Sequence, residues 1–166
     1  MKYSIVFSSR TGNTRLLADT IKEHLNAEDC VYFGEPDEKA AQADLIFAGF
    51  WTDKGTCDAK AEEFIKTLKG KNVFLFGTAG FGVDASYFEQ ILSRVSAHVD
   101  ESCTVTGSFM CQGKMPMSVR ERYEKMAAAP TPAPNVQMLI DNFDKALSHP
   151  DQNDLEALMA AVDKAK

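Results

Sequence analysis

An unbroken polar run, Ser8-Ser9-Arg10-Thr11-Gly12-Asn13-Thr14, joins an apolar segment to one with helical periodicity. Hydroxyls, an amide and a glycine at a helix start lie beside unpaired N–H groups and the positive end of the helix dipole. Such a loop can hold a terminal phosphate without an ion pair. Ser, Thr and Asn also favour the cap position, but one cap residue suffices, and this run is longer than a cap needs. Arg10 either adds charge to the site or points to solvent. Trp51, the only tryptophan, stands in a polar stretch from Gly49 to Asp58, where a platform for a planar ligand is the better reading than a core residue. A third stretch, Gly77-Thr78-Ala79-Gly80-Phe81-Gly82-Val83-Asp84-Ala85-Ser86-Tyr87, exposes backbone N–H groups through its glycines. Phe81 or Tyr87 would add a second aromatic wall there, with core packing as the alternative for each. Together the three stretches point to one flat, phosphorylated ligand.

Other chemistries lack their residues. Cys30, Cys57, Cys103 and Cys111 form no C-x-x-C pair and no metal-ligand spacing, and none has an Arg six positions later, as a phosphatase cysteine requires. His24, His98 and His149 fall on or beside the polar sides of helical segments. There is no G-x-S-x-G elbow and no G-x-G-x-x-G. Gly107 to Lys114 approaches a P-loop, but its spacing is one residue too long and Met115 stands where a magnesium-binding hydroxyl belongs. No catalytic residue and no metal ligand is assigned.

The chain has 166 residues, 45% of them hydrophobic, which is one domain's length and too apolar for disorder. Its longest apolar runs, such as Leu45 to Phe50, are too short to span a bilayer, and Met1 to Phe7 does not read as a signal peptide. The net charge of −6 argues against nucleic acid or an anionic membrane as partner. Reduced thiols in a cytoplasm are expected.

Short apolar runs alternate with helical periodicity, which argues for crossover units and a parallel sheet. Strands are expected at Ser4–Phe7, Cys30–Phe33, Leu45–Phe50, Val73–Phe76 and Thr104–Cys111, the last alternating like a sheet edge. Helices are expected around Leu16–Leu25, Ala61–Leu68, Tyr87–Val95, Val119–Met126, Val136–Leu147 and Leu155–Val162, with a short helical crossover at 35–43 and a Pro-rich linker at 127–134. The fold class is α/β: a doubly wound, five-stranded parallel sheet in order 2-1-3-4-5, with its ligand crevice beyond the carboxyl ends of strands 1, 3 and 4. Residues 1–166 form one domain, in which 114–134 is an insertion and 151–166 an extra terminal helix.

The sequence resembles the flavodoxin family over Met1 to Gly113 and the helix from Asn135 to Ser148. Ser9-Arg10-Thr11-Gly12-Asn13-Thr14 matches the family's S/T-x-T-G-x-T loop for the phosphate of flavin mononucleotide (FMN). Trp51, flanked by Phe50 and Thr52, is similar to the aromatic placed against the flavin ring. Thr78, Ala79, Gly80, Phe81 and Gly82 resemble the flavin-edge loop, and Tyr87 a stacking tyrosine. The resemblance implies a three-layer sandwich, bound FMN and single-electron transfer between a flavin or iron–sulfur reductase and an acceptor enzyme, by a monomer. Two other readings are an NAD(P)H-dependent FMN or quinone reductase and a flavin-free interaction module. One departure is notable: Thr52-Asp53 follows the tryptophan where flavodoxins commonly have a glycine whose peptide reorients on reduction, and the next glycine is Gly55. Asp53, Asp58 and Asp84 lie in the loops implied to hold the flavin, where negative charge would lower its potential. Gln112-Gly113-Lys114 could approach the flavin or a partner.

A receiver domain shares the strand order but needs acids where Ser8-Ser9 and Gly49-Phe50 stand, and is excluded.

Overall fold

A computed structural model describes residues 1–82 and 84–166. Its strands are β1 (Tyr3–Phe7), β2 (Cys30–Gly34), β3 (Leu45–Asp53), β4 (Thr56–Cys57), β5 (Asn72–Ala79) and β6 (Thr104–Gln112). Its helices are α1 (Asn13–His24), α2 (Ala59–Thr67), α3 (Ala85–Ser96), α4 (Met117–Ala127), α5 (Val136–Ala146) and α6 (Gln152–Ala165). The sheet order is β2-β1-β3-β5-β6, all parallel, with the two-residue β4 paired antiparallel to β3. Apart from that added strand, this is the order expected from the sequence, and the alternating last strand lies at the edge.

The central strands are buried on both faces, as a parallel sheet sandwiched by helices requires. Their side chains alternate between two cores. Ile5, Phe47, Phe74 and Phe76 meet Leu17 and Ile21 of α1 on one face, and Val6, Ile46, Val73 and Leu75 meet Phe64 and Ile65 of α2 and Ile91 and Val95 of α3 on the other.

Glycine and phenylalanine face each other twice across β3 and β5: Gly49 pairs with Phe76, and Phe50 with Gly77. Each ring lies over its partner glycine, so a Cβ on Gly77 would run into the Phe50 ring and one on Gly49 into Phe76. Both phenylalanines are fully buried and have no room to yield. Gly77→Ala is therefore expected to cost about 1–3 kcal/mol through overpacking, read as a lower urea midpoint with an unchanged slope.

The C-terminal third departs from the expected division. Residues 151–166 read as an addition in the sequence, yet α6 packs on β6 and α1 and places Leu158 and Val162, both fully buried, in the first core. Gly107 of β6 makes this approach possible, since Ala165 and the Phe74 ring close over it. A capping box at Asp151 and Asp154 starts α6. The element outside the two layers is the pair α4–α5, joined by an ion pair from Arg120 to Asp144 and lying beyond the carboxyl ends of β5 and β6.

Candidate functional site

At the carboxyl end of β1 the chain turns through Gly12, whose φ of 93° lies in the left-handed region, before α1 begins. Open space surrounds the Cβ position of Gly12, so backbone conformation alone selects glycine here. Ser9 Oγ accepts from the N–H groups of Gly12 (3.2 Å) and Arg15 (3.3 Å), and closes the loop. The N–H groups of Asn13 and Thr14 meet no acceptor among the described residues, and the first turn of α1 holds no acid. Unpaired N–H groups at a helix start are the donors an anion would need. Asn13 Nδ2 donates to Thr11 Oγ1 (3.2 Å) and to the Lys114 carbonyl (2.8 Å).

The stretch after the third apolar run is a hairpin, and Trp51 is strand residue, not loop. Lys54 and Gly55, with φ of 53° and 82°, make the turn in the conformation that hairpin twist favours. Arg94 Nη1 donates to the Gly55 carbonyl (2.8 Å) and ties the turn to α3. Asp58, 3% exposed, grips the tryptophan. Its Oδ1 accepts from Trp51 N–H (3.2 Å), its Oδ2 accepts from Ala61 N–H at the start of α2 (3.3 Å), and its own N–H donates to the Trp51 carbonyl (3.0 Å). The Trp51 ring is half-buried, with the Arg10 guanidinium 5.5 Å above its centre.

The third stretch is held by α5. Asn142 Nδ2 and Gln112 Nε2 both donate to the Gly80 carbonyl (3.0 Å each), while Asn142 Oδ1 accepts from Gly82 N–H (3.3 Å) and from Gln112 Nε2 (3.0 Å).

Between these segments lies a groove of about 230 Å³ beyond the carboxyl ends of the central strands. It is lined by Arg10, Thr11 and Asn13 of the first stretch, by Trp51, Thr52, Thr78 and Gly80 at the strand ends, and by Gly113, Lys114, Met115, Pro116, Ser118 and Val119 of the connection after β6. The lining holds two cations and no carboxylate.

The flavodoxin-domain family profile matches residues 4–163. The chain belongs to the flavodoxin family. The flavodoxin-like domain-containing protein BilS of Clostridium symbiosum is 43% identical, with 95% of this chain and 92% of that protein covered. Its namesake in Clostridioides difficile is 30% identical over 97% and 94%. Among solved structures, oxidised Flavodoxin 2 from Bacillus cereus superposes with a TM-score of 0.59 at 18% identity, covering 99% of this chain and 97% of that one. A short-chain flavodoxin associated with a non-canonical PDU bacterial microcompartment gives 0.58 at 16%, covering 100% and 99%. These structures share the fold. No helix among the described residues is long and apolar enough to cross a membrane.

As a flavodoxin-family domain, the chain has a fold that generally binds FMN or another flavin, and its groove has the lining for one. The free N–H groups, Thr11 and Asn13 suit a phosphate, and Trp51 offers a flat apolar face. Thr52 Oγ1 is buried with no hydrogen-bond partner. The groove is narrower than the roughly 300–1,000 Å³ usual for such ligands. The Arg10 guanidinium lies over the Trp51 ring and makes no ion pair among the described residues.

The remaining residues of the flavodoxin motif are dispersed. Ser9 and Gly12 line a separate cleft with Phe7, Arg15 and Phe33. Thr14 is fully buried, its Oγ1 donating to the Phe50 carbonyl (2.9 Å) and paired with Thr78 Oγ1 (3.0 Å). Phe50 and Ala79 belong to the core. Phe81, Gly82 and Tyr87 do not line the groove; Phe81 and Tyr87 pack edge-on against each other, centroids 6.3 Å apart. None of the three acids reaches it either. Asp53 is exposed on the hairpin, Asp58 turns inward, and Asp84 caps α3, its carboxyl held below the usual range by the Ser86 hydroxyl and the Tyr87 N–H. Burial pushes the Cys57 thiol up to about 11 and raises Cys111 further, so neither serves as a nucleophile. Met115, Pro116, Ser118 and Val119 carry no ligand-binding signal in the sequence beyond their adjacency to Gln112-Gly113-Lys114.

Proposed function

We propose that the chain binds FMN in this groove and carries single electrons, as a monomer, between a flavin or iron–sulfur reductase and an acceptor enzyme. The observation that carries the reading is a donor-rich, carboxylate-free groove running from the phosphate-type loop to Trp51. The cofactor supplies the redox chemistry, and the protein supplies binding, orientation and electrostatics. Asn13 and the Thr11 hydroxyl, both lining the groove, receive the phosphate. Trp51, held by Asp58, supports the ring, and Met115, Pro116 and Val119 shield one side from water.

The deciding experiment is anaerobic stepwise reduction of the purified protein, followed by absorption. The expected result is a flavin band that disappears in two resolved one-electron steps. Direct two-electron bleaching by NADPH with the protein alone would replace the carrier by a reductase. Failure to take up added FMN would leave an interaction module.

A further inference from the structure

We propose that Lys114 is the counter-cation of the flavin phosphate and makes the groove selective for phosphorylated flavin. This assignment rests on the flavin reading above. Lys114 belongs to the connection between β6 and α4, outside the phosphate-type loop, yet its backbone is anchored on both sides, to Asn13 at the end of that loop and to the α5–α6 connection. Its carbonyl accepts from Asn13 Nδ2 (2.8 Å), and its N–H donates to the His149 carbonyl (3.0 Å). The preceding Gly113 is buried against the same side chain, since a Cβ there would lie 2.5 Å from Asn13 Nδ2. The connection is thus pressed onto the loop, and Lys114 lines the groove beside Thr11 and Asn13.

The charge pattern supports the assignment. Lys114, like several other lysines, has no ion-pair partner among the described residues; it differs from them in lining the groove. The nearby Asp154 is already engaged by His149 (2.6 Å) and by the Asp151 N–H (2.8 Å), and Asp151 caps α6. An exposed lysine left without a carboxylate, beside N–H groups left without an acceptor, is complementary to an anion of more than one charge. Arg10 lies over the Trp51 ring, so its guanidinium is already engaged with an aromatic face.

The test titrates the full-length protein, freed of bound flavin, with FMN and with riboflavin at low and high salt, following quenching of flavin fluorescence. Lys114→Gln is expected to weaken FMN binding by about tenfold, to leave riboflavin unchanged and to flatten the salt dependence for FMN. Lys114→Arg should restore most of the loss. Unchanged FMN affinity in Lys114→Gln, or equal weakening of both flavins, would overturn the assignment while leaving the flavin reading intact. No binding of either flavin to the unsubstituted protein would overturn that reading and this assignment with it.

Discussion

Asp58→Ala is expected to lower stability by about 2–4 kcal/mol, the sum of a lost helix cap and an unsatisfied buried N–H. For a domain of this size that corresponds to roughly 5–15 °C in thermal midpoint. The carboxylate is almost fully buried and accepts from two backbone groups, Trp51 N–H and Ala61 N–H. Alanine leaves both donors without a partner, and water cannot reach the hole without opening the hairpin. Asp58→Asn should lose about half as much, because the amide oxygen still accepts one of the two bonds. A midpoint within about 2 °C of the parent in the alanine variant would show that the hairpin is held elsewhere. Flavin affinity should fall together with stability, since the same carboxylate fixes the strand that carries Trp51.

Trp51→Ala is expected to weaken FMN binding by about 10- to 100-fold, the range set by stacking worth roughly 1–3 kcal/mol. Its effect on stability should be small by comparison, because the ring is only half-buried and packs against an exposed guanidinium. Trp51→Phe should recover most of the affinity. Flavin titration against a denaturation curve separates the two quantities for each variant. An unchanged FMN affinity in the alanine variant would place the flavin ring away from Trp51. The prediction also bears on Arg10: the flavin must displace a cation–π contact worth about 0.5–1 kcal/mol at an exposed site, a modest barrier beside the stacking gained.

How far the site was legible in the sequence differs from residue to residue. The polar loop was visible because a cap, a left-handed glycine and a helix start are interactions between near neighbours. Ser9 to Arg15 spans six positions, and Gly12 needs nothing beyond its own φ. Trp51 stood out by its isolation, but its place in a strand did not: β4 is two residues long, too short for an alternating pattern to emerge. Asp58 read as a loop acid that would act on the flavin, whereas the fold turns it inward onto backbone donors. None of the three acids lines the groove, so any effect of their charge on a flavin there acts through space.

Local patterning in the chain was enough for the strand order, the helical crossovers and the end of the sheet at which the candidate groove lies. Those follow from periodicity and from the handedness of the crossovers, which short stretches of chain already carry. Which terminal helix packs on the sheet, and what walls the groove, depends instead on contacts between distant parts of the chain. Both α5 and α6 are amphipathic, and nothing local says that Gly107 leaves room for α6 on β6 while Asn142 of α5 grips the third loop. The contact that brings Lys114 to the phosphate-type loop joins residues 101 positions apart. Such a pairing depends on the packing of every layer between them, and no window of sequence contains it.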